Sequence, residues 1–566
     1  MLGVWLFQIS ILLLCLVTAA FFLGEYMARV FRGKKTILSP VLVPVENFVY
    51  RTFQVNPQEE MNWREFILNF LLFIFLGLVT LVFLQRFQYL LPLNPEHLPA
   101  INWGQVLNAA ISFVTNTNWQ FQQPETSISY LTRILGLGVQ NFLSAAVNIT
   151  IGVVVINGFL RKNDEGLGNF WVYLTRSILY ILLPLSLLLA LFLMLQGTPN
   201  NLKPYVHVKT LEGKEQIIAQ GPVASQVAIK QLGSNGGGVF AANAAHPYEN
   251  PTPLTDWISV LAMLLIAAAF PFMFGAMARD RSKGWAIFIA MTLLFLLMLS
   301  LSSWAELHSL PMFDNLNIAD GISMEGKELR FGNIATAVFA TTATATSSGS
   351  TNSFFASLMP LTGMVLVVNM ALGGIIFGGV GTGFINMMFY VILTMFLIAL
   401  MIGRTPEIYG KKLGVREMII TVIALFIPGA LQLILSAIAI YLDPVVAAAS
   451  GGSNHGLTEI FYNYTSTIKN NGSSFDILRA PNLFYSFSTS LAMLVGYLLT
   501  AISALTLAGF MVKKNISPKL THFSTTNVSF VLLLVSVVLV IGSLSFLPIL
   551  ALGPVVEHLK MLGGGF

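Results

Sequence analysis

The chain has 566 residues, of which 55% are hydrophobic and only 10% carry a charged side chain. A water-soluble domain has about 25% charged residues, so this composition excludes a soluble globular protein and indicates a chain that has lipid as its main solvent. The net charge of +5 does not indicate nucleic-acid binding, because the lysines and arginines fall mainly in short segments between apolar runs, where they set membrane orientation.

Ten apolar runs are long enough to cross a membrane, since each span needs about 20 apolar residues. They cover residues 2–24, 66–85, 130–160, 170–195, 257–278, 285–305, 354–403, 418–441, 483–511 and 527–552. No Lys or Arg precedes the first run, whereas Arg29, Arg32, Lys34 and Lys35 follow it. This favours a retained span with its N-terminus outside over a cleaved signal peptide.

Basic residues recur in every second connection, which predicts that these connections are cytoplasmic. The clusters are Arg161-Lys162; Arg279, Arg281 and Lys283; Arg404, Lys411, Lys412 and Arg416; and Lys513, Lys514 and Lys519. The alternate connections are longer and mixed in sign, and we expect them outside; they are roughly residues 86–129, 196–256, 306–353 and 442–482. Both termini are then expected outside.

One apolar run, residues 354–403, contains no charged side chain and is too long for a single straight span. As one helix it would be about 75 Å long. Two spans would place the basic segment Arg404 to Arg416 outside, whereas basic connections are expected on the cytoplasmic side. One broken span is therefore expected. The break is predicted at Gly373-Gly374 and at 378–383, because irregular backbone at membrane depth must be buried in protein or line water. The alternative is a tightly packed helix rich in small residues.

Each exterior loop contains a weakly polar stretch that is predicted to form a short helix reaching only partway across the membrane, and each stretch ends in small polar residues. The four stretches are 106–120, 225–240, 334–350 and 459–473, with centres at Asn118, Gly236, Gly349 and Gly472. Their nearly equal spacing divides the chain into an N-terminal span (1–35), four span–loop–span repeats (62–160, 168–280, 284–404 and 416–512) and a C-terminal span (525–566). The predicted fold is an all-α polytopic membrane protein in which four parallel helix–pore-loop–helix repeats surround one pore.

The composition of the four loops favours a cation filter. Backbone carbonyls can replace the water that a cation sheds if several strands direct them at one axis. Glycine supplies the unusual backbone angles that such strands need, and three centres are glycine. The first loop has Asn118 instead, which predicts a less regular strand. Taken singly, any of the loops also fits an ordinary Gly/Ser/Asn turn.

Other polar residues near the loops are weaker candidates. Five carboxylates either attract cations at the mouth or are solvated loop charges: Glu125, Glu249, Asp256, Glu459 and Asp476. Arg133, Asn141 and Asn148 belong to the third span, where polar residues face protein or a water path.

The sequence offers no catalytic residue. A Walker motif needs glycine five residues before its Gly-Lys pair, and at Gly33-Lys34 that position is Ala28. No segment resembles the phosphorylated-aspartate motif of ion-pumping ATPases. The seven histidines are scattered without metal-ligand spacing.

Several longer motifs resemble the A subunit of the Kdp potassium-transporting ATPase over essentially the whole chain. They are Thr115–Gln120 (TNTNWQ), Ser234–Gly238 (SNGGG) with Asn243 and His246-Pro247, Phe377–Gly381 (FGGVG) and Gly403–Glu407 (GRTPE). The resemblance implies a subunit related to tetrameric potassium channels and to the Trk/Ktr/HKT transporters. It implies that K⁺ is the transported ion, that this chain binds no nucleotide, and that a catalytic P-type ATPase B subunit, a C subunit and a small F subunit complete the complex in a bacterial or archaeal plasma membrane.

The same resemblance implies particular site residues. The K⁺ filter would comprise Thr117 and Asn118, Asn235 and Gly236, Ser348 and Gly349, and Asn471 and Gly472. Gln120 would lie just behind the first filter strand, and Arg404 would bear on gating at the inner end of the broken span.

Two positions depart from the best-known members of that family. They carry a cysteine where this chain has Ser348, and a glutamate where it has Gly374. The backbone carbonyl at Ser348 is expected to preserve selectivity. Two other functions stay open: a stand-alone K⁺ channel or an ion-coupled symporter of the same superfamily, and, disfavoured by the lack of catalytic residues, a membrane enzyme.

Overall fold

The computed structural model describes residues 2–162, 166–308, 323–442, 454–476, 483–515 and 523–562. Lys519 and parts of the predicted exterior loops 306–353 and 442–482 lie outside the described residues. The main helices are α1 (Leu2–Phe31), α2 (Ser39–Thr52), α3 (Trp63–Arg86), α4 (Trp103–Val114), α5 (Val139–Leu160), α6 (Phe170–Arg176), α7 (Leu183–Leu195), α8 (Val223–Leu232), α9 (Pro253–Met277), α10 (Arg281–Leu307), α11 (Gly332–Ala345), α12 (Pro360–Ala371), α13 (Thr382–Ile402), α14 (Val415–Tyr441), α15 (Asn454–Ile468), α16 (Leu483–Val512), α17 (Val528–Leu550) and α18 (Val556–Leu562).

Ten helical segments within the described residues are long and apolar enough to cross a membrane. They are Trp5–Phe31, Trp63–Arg86, Thr132–Leu160, Phe170–Leu195, Pro253–Met277, Arg281–Leu307, Thr382–Ile402, Val415–Tyr441, Leu483–Val512 and Val528–Leu562. Several contain π-helical turns, at Thr132–Gly138, Ser177–Leu182 and Ala551–Val555. The prediction of a polytopic, mainly helical membrane protein is confirmed.

Within the described residues, strands are confined to two short antiparallel hairpins in the connections. The first, β1 (Val206–Lys209) with β2 (Glu215–Ile218), pairs Val206 with Ile218 in the second exterior loop. The second, β3 (Glu407–Ile408) with β4 (Lys411–Lys412), follows α13. Neither hairpin was expected from the sequence, and both lie outside the spans.

The burial of the spans separates central from peripheral helices. In the segment Thr132–Leu160, 89% of the most apolar stretch is buried, and in Pro253–Met277 the figure is 83%. In Trp63–Arg86 it is only 17%, so the apolar side chains of α3 face outward, as they do on a helix in contact with lipid. The core therefore surrounds α5 and α9.

The long apolar run 354–403 is interrupted as predicted. Helix α12 ends at Ala371 and α13 begins at Thr382. In the connection, Gly373, Gly374 and Gly378 have φ of 99°, 60° and 65°, which favour glycine. The Asn386 amide donates to the Gly373 carbonyl oxygen at 2.7 Å, which supplies one freed backbone group with a partner.

The last helix is tied to the start of α15 by polar contacts. The His455 Nδ1 and Glu557 Oε1 atoms are 2.7 Å apart, and Lys560 Nζ donates to Asn454 Oδ1 at 2.7 Å. The hydrogen bond with Glu557 raises the pKa of His455. Since an unfolded histidine has a pKa of about 6.5, the pair stabilises the folded state below pH 6.5, and this stability is lost as the pH rises through the folded pKa.

Replacing Glu557 with glutamine is therefore expected to destabilise the protein in a pH-dependent way. The expected loss is about 0.5–1 kcal/mol at pH 5.5, because the pair is partly exposed, and a smaller loss at pH 8.5. Thermal unfolding of E557Q and parent in detergent at the two pH values measures this. An equal loss at both values would contradict the charge-dependent contact.

Candidate functional site

Four helices, α4, α8, α11 and α15, end at the stretches singled out by the sequence. After each of them one backbone amide bonds to the carbonyl five residues earlier. The bonds are Thr117 N to Ser112 O (2.9 Å), Asn235 N to Lys230 O (2.9 Å), Ser348 N to Ala343 O (2.9 Å) and Asn471 N to Ser466 O (2.8 Å). The four loops thus leave their helices with the same geometry.

The backbone that follows also repeats. Two positions in each loop have a left-handed φ, with one ordinary residue between them. The values are 60° and 56° at Asn116 and Asn118, 48° and 73° at Ser234 and Gly236, 51° and 68° at Ser347 and Gly349, and 52° and 96° at Asn470 and Gly472. Asn118 adopts the same conformation as the three glycines, so the expectation of a less regular first strand is wrong. Asparagine tolerates this region better than most residues do.

Contacts between loops form a closed ring in chain order. In three loops the central glycine lies against a carbonyl of the next loop. A Cβ atom built on the glycine would lie 2.0 Å from the oxygen for Gly236 with Ser348, 2.0 Å for Gly349 with Asn471, and 1.8 Å for Gly472 with Thr117. No side chain fits at such distances, which is the physical reason for glycine at these three positions.

The first loop closes the ring with a side chain. The Asn118 amide nitrogen donates to the Gly236 carbonyl oxygen at 3.3 Å and to Asn141 Oδ1 at 2.9 Å. The seam between the first and second loops is therefore wide enough for an amide. This explains why Asn118 stands where the other loops have glycine.

Further side chains connect the loops at every seam. The bonds are Asn116 Nδ2 to Ser234 O (3.0 Å), Gln231 Nε2 to Ser350 Oγ (3.1 Å), Asn471 Nδ2 to Ala343 O (3.0 Å) and Asn470 Nδ2 to Thr117 Oγ1 (2.8 Å). The polar side chains of the loops are thus used to hold neighbouring loops together.

Four backbone carbonyls of the ring are left without a donor. The Thr117, Asn235, Ser348 and Asn471 side chains are fully buried, yet the carbonyl oxygens of these residues accept no hydrogen bond from any described residue. More than nine in ten buried backbone carbonyls are paired. An unpaired carbonyl at the same position in all four loops is the arrangement expected where a dehydrated cation supplies the missing partner.

Two cavities adjoin the ring. The one that we call the outer vestibule has a volume of about 570 Å³ and is lined by the later loop residues, among them Asn118, Gly349 and Gly472. The inner cavity has a volume of about 280 Å³ and is lined by the earlier residues, among them Asn116 and Ser347. The ring therefore separates two spaces large enough for hydrated ions.

The eight predicted filter residues all belong to this ring, but the two other predicted residues are placed differently. Gln120 lines the outer vestibule, and its Oε1 accepts from the Gly238 amide of the second loop at 3.1 Å. Arg404 is exposed just beyond the end of α13, whose length separates it from the ring by about 30 Å. Any influence of Arg404 on the ring is therefore indirect.

A buried ion pair behind the second loop escaped the sequence analysis. Lys230 and Glu249 are fully buried and form an ion pair, and Lys230 Nζ also donates to the Gly237 carbonyl oxygen at 3.0 Å. Glu249 Oε1 accepts from the Val239 and Phe240 amides at 2.7 and 3.0 Å. Glu249 is thus neither a cation attractor at the mouth nor a solvated loop charge, because it anchors the backbone beyond Gly236.

The other four carboxylates are also placed by the structure. Asp256 and Glu459 are buried, Asp256 beside the Asn250 and Asn352 amides, so the expectation of mouth or solvated charges is wrong for both. Glu125 accepts from the Ala241 amide at 2.9 Å. Asp476 alone among the five lines the outer vestibule.

The polar residues of the third span face protein or the inner cavity, as expected. The buried Arg133 donates to the Pro124 carbonyl oxygen at 3.0 Å. Asn148 lines the inner cavity and accepts from the Tyr497 hydroxyl at 2.9 Å.

Known proteins resemble this chain over almost its whole length. Proteins named potassium-transporting ATPase potassium-binding subunit are 46% identical in Methylorubrum extorquens and Pseudomonas aeruginosa and 45% identical in Methanoregula boonei. The similarity covers 95–96% of this chain and of each relative.

A solved structure resembles this chain in fold, and a family model matches it in sequence. The potassium transporter TrkH from Vibrio parahaemolyticus has a similar structure, with a TM-score of 0.51 and 15% identity over 87% of this chain and 96% of that one, which is a likeness of fold. Residues 10–559 match the family described as the potassium-transporting ATPase A subunit. With relatives at about 45% identity along its length, the chain belongs to the potassium-transporting ATPase A subunit family.

Proposed function

We propose that this chain is the potassium-binding and translocating subunit of an ATP-driven K⁺ uptake complex. The ring of four loops selects K⁺ from the outside, with Thr117, Asn235, Ser348 and Asn471 offering carbonyl ligands. The unpaired buried carbonyl in each loop is the observation that carries this proposal. The names of the relatives, each a potassium-binding subunit of an ATPase, support it.

The chemistry of the ring suits a monovalent cation of low charge density. Neutral carbonyl oxygens can replace the water shed by K⁺ without binding so tightly that the ion cannot leave. The C-terminal ends of α4, α8, α11 and α15 precede the ring, and the negative end of a helix dipole favours a nearby cation. Side chains hold the loops together, so the carbonyls keep their positions when the ion leaves.

The motor is proposed to reside in other chains. The resemblance in sequence supports a catalytic P-type ATPase B subunit, a C subunit and a small F subunit as partners, with no nucleotide bound by the chain itself. It also supports a bacterial or archaeal plasma membrane, and the distribution of basic residues supports a location of both termini outside. Arg404, about 30 Å from the ring at the far end of α13, is proposed to act on gating from the cytoplasmic side.

The alternative is a stand-alone channel or an ion-coupled symporter. The likeness in fold to the potassium transporter TrkH makes a channel or symporter function the second candidate. The two differ in their partners and in their source of energy.

Purification of the tagged chain from its native membrane separates the two functions. The proposal predicts that a P-type ATPase co-purifies and that vesicles with the purified complex accumulate K⁺ against a gradient only when ATP is supplied. The same vesicles supplied with a non-hydrolysable ATP analogue instead of ATP give the background accumulation. Uphill accumulation by the chain alone, without ATP, would contradict the proposal and favour a symporter.

A further inference from the structure

The inner cavity contains one charge that the proposed filter does not use. Among the described residues that line this cavity, only Lys469 carries a charged side chain. Lys469 directly follows α15 and precedes Asn470, the first left-handed residue of the fourth loop. Its ammonium forms no hydrogen bond or ion pair with any described residue.

Neighbouring distances place this ammonium beneath the ring. A Cβ atom built on Gly373 would lie 3.9 Å from Lys469 Nζ, and one on Gly374 would lie 2.9 Å from Ser347 Oγ. The connection between α12 and α13 thus touches both the inner end of the third loop and the lysine. The ammonium lies where an ion that leaves the ring enters the inner cavity.

Packing alone does not account for a charge at this point. Lys469 is half-buried, and a charge that is partly removed from water without a partner is unfavourable. An uncharged side chain of the same length would fill the same space. A lysine ammonium is a compact monovalent cation on a flexible chain. It competes for the same oxygen ligands as K⁺ and repels a K⁺ ion nearby.

We propose that the Lys469 ammonium is a tethered cation at the inner end of the ring, which opposes entry of K⁺ into the inner cavity and so limits passive flow through the chain. This inference rests on the proposed function, because it takes K⁺ to be the ion that leaves the ring. In an ATP-driven complex such a barrier prevents accumulated ions from flowing back.

Passive flux through the reconstituted complex tests this role. Vesicles are loaded with rubidium-86 as a tracer for K⁺, and efflux is followed without ATP. Lys469→Met and Lys469→Gln, which remove the charge, are expected to speed efflux on the order of tenfold. Lys469→Arg keeps the charge and should stay within about twofold of the parent. Thr500→Val, another residue lining the cavity, controls for altered packing.

K⁺ binding, measured on the same preparations, separates a failure of the inference about Lys469 from a failure of the proposed filter. The inference predicts K⁺ affinity in the Lys469→Met variant no weaker than that of the parent, with faster efflux. If K⁺ binds normally but efflux from the neutral variants is no faster than from the parent, the proposed role of Lys469 is overturned and the proposed filter is not. Efflux from Lys469→Arg as fast as from Lys469→Met would also overturn it. Failure of the parent to bind K⁺ overturns the proposed function, and this inference with it.

Discussion

Replacing Gly349 with alanine is expected to weaken K⁺ binding on the order of a hundredfold, where each factor of ten corresponds to about 1.4 kcal/mol. The added Cβ atom would lie 2.0 Å from the Asn471 carbonyl oxygen, so the third and fourth loops must separate. Alanine at a φ of 68° adds backbone strain of about 1–2 kcal/mol. Both effects displace carbonyls that the proposed filter uses, so discrimination against Na⁺ should fall as well.

Gly104→Ala is a matched control, since a Cβ atom at Gly104 in α4 would meet no atom within 4 Å. K⁺ titration of both purified variants by calorimetry gives the affinities, and Na⁺ competition gives the selectivity. K⁺ affinity in G349A within twofold of that in G104A would show that the ring does not bind the ion. Retained folding is checked by thermal unfolding without K⁺, where no bound ligand adds stability.

Replacing Lys230 with methionine is expected to destabilise the protein by about 3–5 kcal/mol, because Glu249 would keep a buried charge without its partner. The Gly237 carbonyl oxygen would lose its donor as well. Since Glu249 fixes the Val239 and Phe240 amides, the second loop should become disordered and K⁺ affinity should fall with the stability.

A double variant distinguishes this pair from general damage to the core. Lys230→Met with Glu249→Gln removes both charges, so part of the loss should be recovered, and a double-mutant cycle gives the coupling energy. Lys214→Met is the control, because Lys214 pairs with Glu212 at an exposed site where such bridges are worth about 0–1 kcal/mol. If K230M unfolds at the same temperature as K214M, the buried pair has no stabilising role.

The sequence predicted the architecture well because its signals are additive along the chain. Apolar length alone determines a span, and all ten predicted runs overlap a long apolar helix. The charge rule resolved the run 354–403 as one broken span, and the glycines at 373 and 374 have the left-handed backbone that their position required. The four centres chosen from spacing are likewise left-handed.

The sequence did not predict features that depend on where a side chain points. Glu249 was expected at the surface, and only the fold places it against Lys230 in the core. Asn118 appeared to be an irregularity because the width of the seam beside Gly236 is a property of two loops together. Lys469 drew no attention, since the inner cavity around it is formed by segments far apart in the chain.

The most direct test of the proposed filter is rubidium-86 binding to the purified complex, with unlabelled K⁺ and Na⁺ as competitors. The proposed carbonyl ligands predict saturable binding that K⁺ displaces at far lower concentration than Na⁺, and loss of this binding in the Gly349→Ala variant. Equal displacement by K⁺ and Na⁺, or unchanged binding in that variant, would contradict selection of K⁺ by the ring.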